Sequence, residues 1–175
     1  MDFKQTKDIL NKFAKYVIQQ SRTNLTKGKK NSSKKLYDSL DFKFKPVTNG
    51  IGINFLMEEY GVYQDKGVRG ANAHYADSAT ANSPFSYKTN SKIPPIKSLA
   101  DWAKKRNIRL RDEKGRFAKG NYNTIGFLIA RSIKDKGIRA SLFFTKPFEK
   151  AYKDLPTDLV KGFINDIENA IEWVQ

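Results

Sequence analysis

The sequence predicts an α+β protein, a small antiparallel sheet packed by an N-terminal helix, two middle helices and a C-terminal helix. Three observations carry that expectation. Apolar residues recur at helical spacing at both ends of the chain, and two short runs between Leu40 and Phe55 alternate apolar and polar residues. Helices and strands are also grouped rather than alternating as βαβ units, which argues against a parallel sheet. The 175 residues suit a single domain, 1–175, with long loop insertions at about 67–94 and 106–122.

Taken in order, Phe3, Leu10, Phe13 and Val17 share one helical face, flanked by Ile9 and Tyr16, while Lys4, Lys7, Lys12 and Lys15 take the other. Ser21 to Ser33, with Gly28 and its lysines, reads as a mobile loop. Strand patterns follow: Leu40, Phe42 and Phe44 alternate with Asp41, Lys43 and Lys45, and Ile51, Ile53 and Phe55 with Gly52 and Asn54. Pro46 to Gly50 joins them as a hairpin loop whose Asn49-Gly50 ending favours positive φ. Regular periodicity disappears from Gly67 to about Pro94, where His74, Tyr75, Phe85 and Tyr87 are scattered among Ala, Asn, Ser and Thr. Structureless connections longer than about 12–15 residues are uncommon unless functional or disordered.

Pro94-Pro95 open a helix that turns Ile96, Leu99, Ala100 and Ala103 inward, with Trp102 beside them. Asp112 to Gly115, between Arg109-Leu110-Arg111 and Arg116-Phe117, reads as the tip of a basic hairpin or projecting loop. A third helix spans about Asn123 to Lys136, with Ile125, Leu128, Ile129 and Ile133 on one face and Gly137 as its stop. A short helix starts at Pro147, and Pro156 interrupts it and opens the last one. There Leu159, Val160, Phe163, Ile164, Ile167, Ile171 and Val174 form the cleanest apolar stripe in the chain.

Composition narrows the function classes. Aromatics at 13% supply a core, so disorder throughout is excluded. No stretch approaches the roughly 20 apolar residues of a membrane span, and the N-terminus lacks a secretory-signal pattern. With no cysteine, disulfides, thiolate nucleophiles and Cys-ligated metals drop out together. A soluble chain, cytosolic at synthesis, is expected. The 33 Lys and Arg against 18 Asp and Glu give +15, unevenly placed. Basic residues crowd Arg22–Lys35 and Lys104–Lys119, whereas Asp154, Asp158, Asp166, Glu168 and Glu172 dominate the C-terminus. Such asymmetry points to a polyanionic partner or to charged faces that meet in an assembly.

Enzyme chemistry lacks parts. The single histidine, His74, has no carboxylate pattern near it, and Gly61, Gly67 and Gly70 match no phosphate-loop spacing. Glu58, Glu59 and Asp65 read as solvated carboxylates at a strand end rather than metal ligands. No enzyme, cofactor or metal is expected. The 104–119 stretch has charge, but only Trp102 and Phe117 as aromatics, and it matches no nucleic-acid reading motif.

Three segments in order carry a resemblance: Glu59-Tyr60-Gly61-Val62-Tyr63-Gln64-Asp65-Lys66-Gly67; Ile96 to Ile108; and Ala130-Arg131-Ser132-Ile133 through Gly137-Ile138 to Phe143-Phe144 and Pro147–Ala151. Together, over about residues 36–155, the chain resembles the small tail-component or tail-completion proteins of double-stranded DNA phages. In that family a strand ends in a tyrosine-rich run, followed by an acidic residue and a glycine. The resemblance implies a non-enzymatic structural subunit of the virion neck or tail, assembled in the host cytoplasm. It implies a homo-oligomeric ring with other neck or tail proteins as partners, packaged DNA passing through its lumen, and no membrane. The 67–94 and 106–119 loops are the expected contact regions. Their candidate residues are Tyr75, Phe85, Tyr87, Arg106, Arg109, Arg111, Lys114, Arg116, Phe117 and Lys119. The alternative reading is a nucleic-acid-binding protein without sequence specificity.

Overall fold

Amphipathic helices dominate, with short strands between them. The computed structural model describes residues 3–30, 32–47, 50–72, 74 and 78–172. In chain order the elements are α1 (Lys4–Lys27), α2 (Lys35–Ser39), β1 (Asp41–Val47), β2 (Gly50–Leu56), α3 (Tyr60–Lys66) and β3 (Val68–Arg69). They continue with α4 (Ser78–Ala81), α5 (Ile96–Lys105), α6 (Tyr122–Lys136), β4 (Gly137–Ile138), α7 (Thr145–Tyr152) and α8 (Leu155–Glu172). The class is mixed α+β and mostly helical, as the periodicities predict. The chain divides into two compact units, Met1–Gly61 with Leu142–Gln175, and Val62–Ser141. The tyrosine-rich run is itself α3, since the strand ends at Leu56.

In the first unit β1 and β2 pair antiparallel, with Phe42 opposite Phe55 and Phe44 opposite Ile53. This is the hairpin read from the alternation, with the strands reaching Val47 and Gly50; Thr48 and Asn49 lie outside the described residues. The expected mobile loop from Ser21 is corrected, because α1 continues to Lys27. Leu25 prolongs the buried face of Leu10, Ala14, Val17 and Ile18, and Ser21 sits on that face by donating its hydroxyl to the Val17 carbonyl at 2.7 Å. Arg22 is likewise structural. Its guanidinium donates to the Tyr37 and Leu40 carbonyls at 3.1 and 2.9 Å and lies over the Tyr37 ring.

Two apolar clusters fill this unit. One gathers Ile18, Leu25, Leu36 and Leu40 around Phe143, which is 1% exposed. The other joins Leu10, Phe13, Val17 and Leu155. Phe55 belongs to both, its ring meeting Phe13, Phe144 and Phe148 edge-on at centroid distances of 6.2, 5.2 and 6.0 Å.

The final helix packs differently from its pattern. Leu155 is buried and Leu159 half-buried, but Val160, Phe163 and Ile164 are 60%, 47% and 48% exposed. The Ile171 side chain and Val174 lie outside the described set. Leu155, Leu159, Gly162 and Asp166 share one face at about 100° per residue, and the exposed trio is turned from it by about 120°. Asp166, 5% exposed, explains which face turns inward. Its carboxylate accepts the Gln5 amide at 3.0 Å, the Thr6 amide at 3.0 Å and the Thr6 hydroxyl at 2.8 Å. Those amides belong to the first turn of α1, where no intrahelical acceptor exists. Burial pushes the Asp166 carboxyl upward, but the Thr6 and Gln5 amides, the Thr6 hydroxyl and the Lys7 charge outweigh it and hold it below the usual carboxylate range.

In the second unit α5 packs on α6 through small residues: Ala100 and Ala103 on one side, Gly126 and Ala130 on the other, all buried. A Cβ on Gly126 would stand 2.6 Å from the Ile96 carbonyl oxygen, so the backbones approach as only glycine allows. The face of α6 is therefore Ile125, Gly126 and Ala130, and Leu128, expected inside, is 47% exposed. Asn121 caps α6 by accepting the Thr124 amide at 2.9 Å, and Gly137 ends it at φ 85°. Near that end the Lys134 and Asp135 carbonyls accept the Ala71 and Asn72 amides. β3 pairs antiparallel with β4.

Two outcomes test this packing. Phe143→Ala should lower the unfolding free energy by about 3–5 kcal/mol, whereas Val160→Ala should stay within about 0.5 kcal/mol, read as urea midpoints at unchanged m. The folded pKa of Asp166 lies below its unfolded value of about 3.9, so its stabilisation is complete above that value and is lost as pH falls through the folded pKa. Asp166→Asn should thus be less stable than wild type at neutral pH, with the gap closing on acidification; a gap independent of pH would refute the carboxylate's role.

Candidate functional site

Two surfaces stand out, one in each unit. The first is the basic tip, where the chain turns back on itself through backbone bonds from Ala118 to Leu110 at 3.0 Å and from Asp112 to Arg116 at 2.8 Å, with Arg111 bridging Phe117 antiparallel. Asp112 organises the turn. Its carboxylate accepts the Lys114 amide at 3.0 Å, the Arg116 amide at 2.8 Å and the Arg116 Nε at 3.2 Å, and Gly115 takes φ 77°. The projecting hairpin read from the sequence is therefore formed.

Phe117 stands on this tip 64% exposed, with the Arg111 and Arg109 guanidinium carbons 4.6 and 5.5 Å from its ring centroid. Exposed cation–π contacts are each worth about 0.5–1 kcal/mol, and they add to the hydrogen bonds from Arg111 to the Gly115 carbonyl at 2.7 Å and from Arg109 to the Asn107 side chain at 3.3 Å. Arg106 lies over the Trp102 ring at 5.9 Å. Lys114, Arg116 and Lys119 are exposed on the same segment. Seven of the ten residues singled out from the sequence thus fall on one stretch of chain from Arg106 to Lys119.

The other three separate from it. Tyr75 lies outside the described residues. Phe85 is half-buried and meets the Tyr63 ring edge-on at 4.6 Å, and burial raises the pKa of the half-buried Tyr87 hydroxyl. The 67–94 stretch is tied down on both sides of these aromatics: Arg69 donates to the Phe85 carbonyl and accepts from the Tyr87 amide, and the Ser83 hydroxyl donates to the Gly67 carbonyl.

The second surface is not among the contact regions expected from the sequence, where Val160, Phe163 and Ile164 read only as part of an apolar stripe. Val160, Phe163 and Ile164 line a cleft of about 520 Å³ with Phe3, Leu10, Ile51 and Leu159, and Phe3 stacks on Phe163 at 5.8 Å. Asp158 and Glu168 of α8 are exposed. One signal was legible: Leu155, Leu159, Gly162 and Asp166 recur at helical spacing, a narrow face whose small and acidic members suit close docking on a helix N-terminus.

Asp65, expected to be solvated, is 4% exposed, whereas Glu58 and Glu59 are exposed. Among the described residues no three His, Cys, Asp or Glu gather to hold a metal ion, and no helix is long and apolar enough to cross a membrane. Compared with known protein families, curated proteins and solved structures, the chain matches none.

Asp112→Ala removes the acceptor of two turn amides. It should raise hydrogen exchange at the Ala118 amide while shifting the global unfolding free energy by less than about 1 kcal/mol; unchanged exchange would show that the tip does not rest on Asp112.

Proposed function

We propose that this chain is a non-enzymatic structural subunit of a phage virion neck or tail, a ring-forming head–tail joining or tail-completion protein. The observation that carries the reading is the open apolar face of α8, with Val160, Phe163 and Ile164 side by side in solvent. Contiguous apolar surface of this kind marks contact with another macromolecule. The ordered resemblance over about residues 36–155 supplies the class of assembly. The hairpin tip adds a second contact element, since aromatic and arginine side chains are enriched at protein interfaces. Residue-level chemistry supports a contact role as well: the prominent exposed groups are Arg, Lys and apolar rings.

A second reading, binding of nucleic acid without sequence specificity, is favoured by Phe117 between Arg109 and Arg111, since a ring and guanidinium groups suit stacking and phosphate contact.

Cryo-electron microscopy of the native particles should show copies of the chain at the neck or tail, and particles without them would refute the assembly reading. Titration of a DNA duplex by fluorescence anisotropy separates the alternatives. The assembly reading expects no binding above about 100 mM salt, whereas micromolar affinity at physiological salt, falling steeply between about 50 and 200 mM, favours the nucleic-acid reading.

A further inference from the structure

We infer that the open face of α8 binds the same face of a second copy, the two helices lying antiparallel about a two-fold axis. The inference rests on the reading of this face as a contact surface and names its occupant.

The pattern of α8 is the first argument. Val160, Ile164 and Ile167 follow a four-three spacing that continues to Ile171 in the sequence, the repeat of helices that pair along a seam. Val160 and Ile164 are exposed and Ile167 is half-buried, while α1 packs on the side of Gly162 and Asp166. At about 100° per residue the centre of the stripe lies roughly 150° around the helix from that side. A second helix therefore reaches the stripe without displacing α1.

Charge selects the occupant and its direction. Lys161 and Glu168, both exposed, flank the stripe on one side and stand two helical turns apart. The other flank, positions 156, 163 and 170, holds Pro, Phe and Ala and no charge. A two-fold axis across the helices reverses the second one and brings like flanks together. With Ile164 of one copy against Ile167 of the other, Lys161 of each copy lies opposite Glu168 of the other. The pairing thus gains two complementary ion pairs. A parallel arrangement sets the charged flank against the uncharged one and gains none. Flanking charges of this kind set partner and orientation in paired helices. A two-fold contact is closed, so it joins two copies, and growth into a ring uses another surface.

The purified chain should sediment at twice its 20.0 kDa at tens of micromolar. Ile164→Glu, at an exposed position, should sediment as a monomer with the far-ultraviolet circular dichroism of wild type. Lys161→Glu or Glu168→Lys alone sets like charges together twice and should weaken pairing about tenfold. Combining the two changes in one chain should restore it. The chain has no cysteine, so Lys161→Cys and Glu168→Cys proteins report direction when mixed and oxidised. They should link to each other faster than either links to itself.

The inference is overturned by a monomer at these concentrations or by a dimer indifferent to Ile164→Glu. It is overturned equally by a double charge exchange that pairs no better than either single one, or by self-linking that outpaces the mixed link. A monomer whose Ile164→Glu variant fails to enter particles assigns the face to a different protein and overturns it as well. Copies at the neck with monomers in solution remove only this pairing; dimers with no copies in particles remove the neck reading and leave the pairing standing.

Discussion

One carboxylate decides how the first unit presents itself. Asp166 accepts two amides and a hydroxyl from the opening turn of α1, groups that have no partner inside their own helix. A buried acceptor at that place suits the positive end of the helix dipole, and the hydrogen bonds hold the carboxyl ionised despite its burial. Because Asp166 shares a helical face with Leu155, Leu159 and Gly162, binding α1 through it turns that face inward. The apolar stripe beside it is thereby left in water. A structural interaction at the start of α1 thus creates the exposed patch on which the functional reading rests.

The basic charge separates into a part that joins elements of the fold and a part held at the surface. Arg22, which opens a run of lysines, is consumed in joining α1 to the carbonyls of Tyr37 and Leu40. The charge between Arg106 and Lys119 is held at the surface by a turn, and two of its arginines lie over Phe117. Arginine suits such a site because its planar guanidinium stacks on a ring while still offering donors outward. A lysine-rich tip of equal charge would present points of charge without that organised apolar centre.

The helix and strand types were largely legible, since period-two alternation over 40–55 and helical spacing elsewhere report local geometry directly. The pairing of β1 with β2 as a hairpin, the start of α5 after Pro95 and the stop of α6 at Gly137 follow from the chain's own stereochemistry, while the ladder takes in Pro46, Val47 and Gly50 of the expected loop. The tip around Asp112 was readable for the same reason, its turn being made by residues four apart. Ser21 to Lys27 was misread as loop because polar residues there hide one buried leucine and a hydroxyl satisfied by its own helix.

By itself the sequence determined the α+β class, the order of the hairpin and the longer helices, the basic tip and the amphipathic character of α1 and α8; the short elements α2, α3, α4, β3 and β4 carry too few residues to show a period. Tertiary structure alone decided which side of each helix is core. On α6 the close approach of α5 at Gly126 sets the buried face and leaves Leu128 outside. On α8 the partner is an array of unpaired amides some 160 residues away in sequence, and it selects the side bearing Asp166 over the more apolar one. Periodicity measures how apolar a face is; it carries no information about a distant hydrogen-bond donor that makes a less apolar face the better fit.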